Sequence, residues 1–107
     1  MAKRPKCTVS FAPQAIEHLA LIDSKYHGLL QRTIHEQLTS TPAEETRNRK
    51  PLDQPAPFRA CWELRCGPNN RFRVFYDVDS AAHEVRVLAI AVKDRDRLFI
   101  GEEEYEL

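Results

Sequence analysis

No stretch of the chain is long and apolar enough to span a bilayer, and the basic start from Met1 to Lys6 is followed by no apolar run of signal-peptide length. The expectation is a cytoplasmic protein with no membrane partner. Net charge is missing too, since 16 Lys and Arg balance 16 Asp and Glu. The molecule as a whole therefore exerts no long-range pull on nucleic acid, and any such binding has to come from a local patch. Cysteine is sparse. Cys7, Cys61 and Cys66 are odd in number, share no repeating spacing and have no histidine at ligand spacing, which excludes a disulfide framework and a zinc site. They read as reduced thiols, and no metal or other cofactor is implied. Internal repeats and low-complexity segments are absent. With 107 residues, 42% of them hydrophobic and 30% charged, the chain has room for one globular domain over 1–107 and not for two.

What the sequence does have is two-residue alternation over its second half. From Phe58 to Cys66, successive side chains of a strand point to opposite sides, so Phe58, Ala60, Trp62, Leu64 and Cys66 share one face and Arg59, Cys61, Glu63 and Arg65 take the other. Gly67-Pro68-Asn69-Asn70 is a turn signal. The next strand puts Phe72, Val74, Tyr76 and Val78 on the core side and Arg73, Phe75 and Asp77 outward. Matching the apolar sets across this hairpin brings Arg65 opposite Arg73. Like charges facing each other across a strand pair are destabilising, and a phosphate between them is the simplest relief. In the last strand, Glu84 to Val92, the set Val85, Val87, Ala89, Ala91 alternates with Leu88, Ile90, Val92, so both faces are apolar and the strand is central or well covered. Parity puts Ala89 and Ala91 on the side of Arg65 and Arg73, with Lys93 following. Small residues would thus floor a shallow groove rimmed by Arg65, Arg73 and Lys93.

The first half reads as helical. Lys6 to Phe11 alternates as a short strand, and Pro13 stands where a first helix begins, running to Asp23 with a stripe of Ile16, Leu19, Ala20 and Ile22. Asp23 and Ser24 are capping residues, and Leu30, Ile34 and Leu38 recur every four positions, so a second helix covers about Lys25 to Thr39. Thr41-Pro42 stops it. Residues 43 to 57 carry Pro51, Pro55 and Pro57 among Glu44, Glu45, Arg47, Arg49 and Lys50, and read as a connecting loop with little to bury.

The order strand, helix, helix, basic loop and three-stranded antiparallel sheet, together with Trp62-Glu63-Leu64-Arg65, Phe72-Arg73-Val74-Phe75-Tyr76-Asp77-Val78-Asp79 and Val87-Leu88-Ala89-Ile90-Ala91-Val92-Lys93, resembles the RelE/ParE superfamily of bacterial toxins. The resemblance spans nearly the whole chain. It implies an α+β fold in which an N-terminal strand, a helical hairpin and a three-stranded antiparallel meander complete a four-stranded sheet. It also implies a type II toxin–antitoxin pair, with an acidic cognate antitoxin as partner. Members on the RelE side cut messenger RNA on the ribosome, whereas members on the ParE side poison DNA gyrase without chemistry. By motif, Arg73 matches the arginine that contacts the scissile phosphate, Arg65 a basic residue of the preceding strand, and Lys93 the basic residue after the last strand. Two positions depart from the pattern: Glu63 stands where such nucleases carry a lysine, and Phe99 where they often carry a catalytic tyrosine.

RNA cleavage by its own 2′-hydroxyl needs a base, stabilisation of the phosphorane charge and an acid for the leaving oxygen. Arg65, Arg73 and Lys93 meet the second need. Glu63, the carboxylate on the groove face of its strand, is the candidate base, with a plain ion pair to Arg65 as the other reading. Arg47, Arg49 and Lys50 either hold the RNA backbone or form a solvated loop. Phe75, outward by parity, is the candidate stacking platform, and Arg95 continues the side of Lys93 if the chain stays extended.

Overall fold

The computed structural model describes residues 6–105, so most of the basic start of the chain lies outside the described residues. Among these residues, seven strands form one sheet with two helices packed on one face: β1 (Thr8–Phe11), α1 (Pro13–Ala20), α2 (His27–Leu38), β2 (Arg49–Pro51), β3 (Trp62–Cys66), β4 (Phe72–Asp79), β5 (Glu84–Asp94), β6 (Arg97–Ile100) and β7 (Glu103–Tyr105). The sheet runs in the order β2-β3-β4-β5-β6-β7, with β1 parallel to β5 and every other pair antiparallel.

The expected meander of β3, β4 and β5 is present, and Arg65 does stand opposite Arg73. The four-stranded expectation is enlarged at both edges. β2 forms inside the segment read as loop, and β6 and β7 form within and just after the charged run that follows β5. β5 makes this possible by its length. One edge pairs with β4 throughout, while the other takes β1 along its first half and β6 along its last. The stretch between them is covered by α1, where the Ile90 backbone amide donates to His18 Nδ1 at 3.3 Å.

Each helix is shorter than its apolar stripe suggested. α1 keeps proline in its first turn. Asp23 caps not α2 itself but a 3-10 turn ahead of it, its carboxylate accepting from the Lys25 amide at 3.1 Å. Leu30, Ile34 and Leu38 are buried against one face of the sheet with Leu64, Phe72, Val74 and Tyr76. The Tyr76 hydroxyl, deep in this layer, donates to the Pro42 carbonyl at 2.8 Å, and burial pushes its phenol well above the usual range. Gly67 has φ +82, and a Cβ there would come within 2.4 Å of the Phe72 ring, so the β3–β4 turn needs glycine.

Simple parity fails along β5 for one reason. A bulge shifts the register between Phe75 and Tyr76, which pair with Ala89 and Val87, leaving Leu88 as the extra residue. Val85 and Val87 consequently join the helix-side core, while Ala89 and Ala91 pack on the opposite face with Phe75, Leu98 and Ile100. Past the bulge both parities are apolar because both faces are covered, Ile90 and Val92 by the helix-side core and Ala89 and Ala91 by the second cluster. β3 also starts later than its alternation suggested: Phe58 lies in a 3-10 turn at φ 55, half-exposed, and Ala60 turns into the second cluster rather than toward the helices.

Candidate active site

The face opposite the helices carries Lys50 from β2, Glu63 and Arg65 from β3, Arg73 from β4 and Lys93 from β5. These line a groove of about 440 Å³ together with Leu52, Asp53, Pro55, Ala56, Pro57, Phe75 and Leu98. The expected rim of Arg65, Arg73 and Lys93 is thus assembled on one groove. Its expected floor is not. Ala89 and Ala91 are fully buried, packed in the cluster that holds Ala60 at the end of the 52–60 segment, and Phe75 and Leu98 line the groove instead. The segment read as having little to bury is one wall of the site. It is held in place by the Leu52 amide donating to the Cys61 carbonyl at 2.8 Å and the Gln54 side-chain amide donating to the Ala60 carbonyl at 2.9 Å.

Charge in the groove is arranged asymmetrically. Glu63 accepts from Arg73 Nη1 at 3.1 Å through one oxygen and lies 3.5 Å from Lys50 Nζ through the other. Its side chain is 8% exposed and that of Arg73 11%. The alternative expected partner, Arg65, is not the one Glu63 takes, because Arg65 stands opposite Arg73, one pleat further along β3. Arg65 has no side-chain hydrogen bond or ion pair among the described residues. The Nε atoms of both Arg65 and Arg73 are buried without a partner. Two guanidinium groups thus face each other with a single carboxylate on one of them, and Lys93 adds a third cation with no ion pair. An unpartnered buried donor costs free energy, and the guanidinium groups of Arg65 and Arg73, with Lys93, offer an anion in the groove several charge-assisted bonds.

Three expected site residues, Arg49, Phe75 and Arg95, are placed otherwise than the sequence suggested, and Phe99 lies off the site. Arg49 is buried at 6% exposure because it lies on the helix side of β2, opposite Leu64. Its guanidinium donates to the Gln37 and Thr41 carbonyls, both at 2.6 Å, and to the Thr46 hydroxyl at 3.3 Å, so it ties the C-terminal end of α2 to the following loop and is not free for RNA. Phe75 is on the groove face but only 2% exposed, a packed floor and not a stacking platform. Arg95 does not continue the strand: it occupies the β5–β6 turn at φ 56, exposed to solvent. Phe99 pairs with Val92, which pairs with Phe72 of the helix-side core, so it lies on the face away from the groove. Arg47 is exposed, and Lys50 lines the groove. Leu52, Pro55 and Pro57 were missed, and the proline spacing was their only signal.

Elsewhere, Cys7, Cys61 and Cys66 are free thiols, and burial pushes Cys66 up to about 11 despite the opposing charge of Arg73. Among the described residues, no three His, Cys, Asp or Glu side chains gather as metal ligands, and no helix is long and apolar enough to cross a membrane.

No family model matches the sequence, and no curated protein is detectably similar. Among solved structures, the chain is similar to one in the toxin–antitoxin complex RelBE2 of Mycobacterium tuberculosis, with a TM-score of 0.68 and 20% identity over 86% of this chain and 95% of that one. At this identity the likeness establishes the fold, which is the RelE-like α+β fold that the motif resemblance implied.

Proposed function

We propose that this RelE-like chain is the toxin of a type II toxin–antitoxin system and cleaves messenger RNA on the ribosome. The observation that carries the reading is the Arg65–Arg73 pair, which places two guanidinium groups with buried, unbonded Nε atoms opposite each other in an open groove. That arrangement suits a phosphodiester. Arg65 and Arg73 donate to the non-bridging oxygens, Lys93 adds charge from the rim, and all three offset the charge that grows on phosphorus as the 2′-hydroxyl attacks. Glu63 takes the hydroxyl proton as the 2′-oxygen bonds to phosphorus. The bond to the 5′-oxygen breaks, that oxygen takes its proton from water in the open groove, and a 2′,3′-cyclic phosphate is left. Arg73 and Lys50 hold the Glu63 carboxylate in place, and an oriented carboxylate is a competent general base. Lys50 and Arg47 steer the RNA backbone through salt-sensitive contacts. The proposed partners are the ribosome with its messenger and a cognate antitoxin that covers the same cations.

The decisive experiment is cleavage of messenger RNA on programmed ribosomes by the parent and by Arg65→Ala. Because Arg65 has no partner to strand, the variant folds, and losing one donor to the developing charge lowers the rate by about a hundred- to a thousand-fold. Equal cleavage by the two proteins overturns the assignment. A second reading has one observation in its favour: no tyrosine or histidine lines the groove among the described residues, so no side chain there matches the proton donor usual in such nucleases. If the parent cleaves nothing but inhibits DNA gyrase, the chain is a binding toxin instead.

A further inference from the structure

We propose that the groove continues past Lys93 into a second anion site, built around Arg71 and Arg95, which holds a backbone phosphate of single-stranded RNA neighbouring the one at Arg65 and Arg73. The proposal rests on the RNA-cleaving reading and extends it to how the substrate strand is threaded. Lys93 lines the main groove on one side and, on the other, a hollow of about 470 Å³ formed by Pro68, Asn69, Arg71, Asp94 and Arg95. Three cations meet one carboxylate there. None of the three has an ion pair among the described residues.

The hollow is held in shape by its backbone and by an aromatic ring. The Lys93 amide donates to the Arg71 carbonyl at 2.7 Å, tying the end of β5 to the turn before β4. The Arg71 guanidinium lies 5.7 Å from the centroid of the Tyr26 ring, which packs edge-on against the buried Phe72. Lys25 Nζ lies over the same ring at 5.1 Å. A cation–π contact restrains a guanidinium without using its N–H donors, so little side-chain freedom is lost when an anion binds. Arg95 is carried by the β5–β6 turn in the left-handed conformation. Two hollows that share a cation fit a ligand with regularly repeated charge. Among the described residues Pro68 is the one apolar side chain in the second hollow, so the hollow offers a backbone polyanion contacts and a protein segment little to bury.

The test is binding of a non-cleavable 2′-O-methyl RNA, as dodecamer and as dinucleotide, followed by fluorescence anisotropy across a salt series. For single strands each phosphate contact contributes about 0.7 to the slope of log affinity against log salt. Arg71→Gln and Arg95→Gln, both at exposed positions, should each lower the dodecamer slope by about 0.7 and weaken its binding several-fold at low salt. The dinucleotide, too short to reach both hollows, should bind each variant as it binds the parent. An unchanged dodecamer slope in both variants overturns the second site, while weakened binding by Arg65→Ala in the same series leaves the cleavage reading standing. A parent that binds neither RNA overturns the second site, while the cleavage reading stands or falls by the assay on programmed ribosomes. Loss of poly-glutamate binding in the variants, with dodecamer binding intact, assigns the hollow to an acidic protein segment and overturns the proposal.

Discussion

Removing the charge of Glu63 without changing its shape isolates what the groove does to its own stability. In Glu63→Gln, Arg73 loses its carboxylate and is left facing Arg65 with no counter-charge. Breaking a buried pair by deleting one partner costs about 3–5 kcal/mol, whereas an exposed pair is worth at most about 1 kcal/mol. The Lys50 contact belongs to the second class, since that side chain is 48% exposed, and the Arg73 contact to the first. Glutamine keeps an oxygen that still accepts from Arg73, which brings the expected loss to about 2–3 kcal/mol. For a chain of this size about 4–8 °C accompanies each kcal/mol, so the melting temperature should fall by about 10–20 °C. Phosphate should then stabilise the variant more than the parent, because it enters a site with no competing carboxylate. At about a hundred times its dissociation constant it returns about 2.7 kcal/mol. The assay is urea and thermal unfolding at neutral pH with phosphate or with chloride at matched ionic strength. A variant within about 0.5 kcal/mol of the parent, or one whose response to phosphate equals the parent's, refutes the claim that Glu63 shields the arginine pair.

Arg49→Ala should destabilise the fold by about 2–4 kcal/mol, because charge-assisted bonds to two carbonyls are lost; urea unfolding measures it, and the slope of RNA affinity against salt should stay that of the parent. Phe99→Tyr should leave messenger cleavage unchanged, since its ring lies on the face away from the groove; a gain in cleavage would show that the substrate reaches that face. Lowering pH should destabilise the protein through His18, whose imidazole is held below its usual 6.5 by burial while Nδ1 accepts from the Ile90 amide. The folded state favours the neutral ring, so this contribution is complete above pH 6.5 and is lost as pH falls through the lower folded value. Denaturant midpoints between about pH 7 and pH 5 should fall less in His18→Gln than in the parent.

The residues that parity could place were those on regular, unbroken strands. Alternation from Trp62 to Cys66 and from Phe72 to Phe75 was enough to set Arg65 against Arg73 and to put Glu63 on their face, because a strand has only two sides and one had to be apolar. The helical stripe of Leu30, Ile34 and Leu38 was equally plain. Beyond that, tertiary structure decided. A single bulge at Leu88 reverses which parity faces the helices, and no local pattern marks it. Arginine is basic whether it meets solvent or backbone carbonyls, so only the packing of α2 against β2 separates buried Arg49 from exposed Arg47. Phe75 and Phe99 look alike along the chain, and cross-strand register alone puts one under the groove and the other behind it. Prolines that announced a loop formed a wall, and Arg71 joined the cationic surface through a contact with Tyr26, 45 residues earlier in the chain. Local chemistry chose the two faces of the sheet; which side chains could reach an anion depended on what the rest of the chain laid over them.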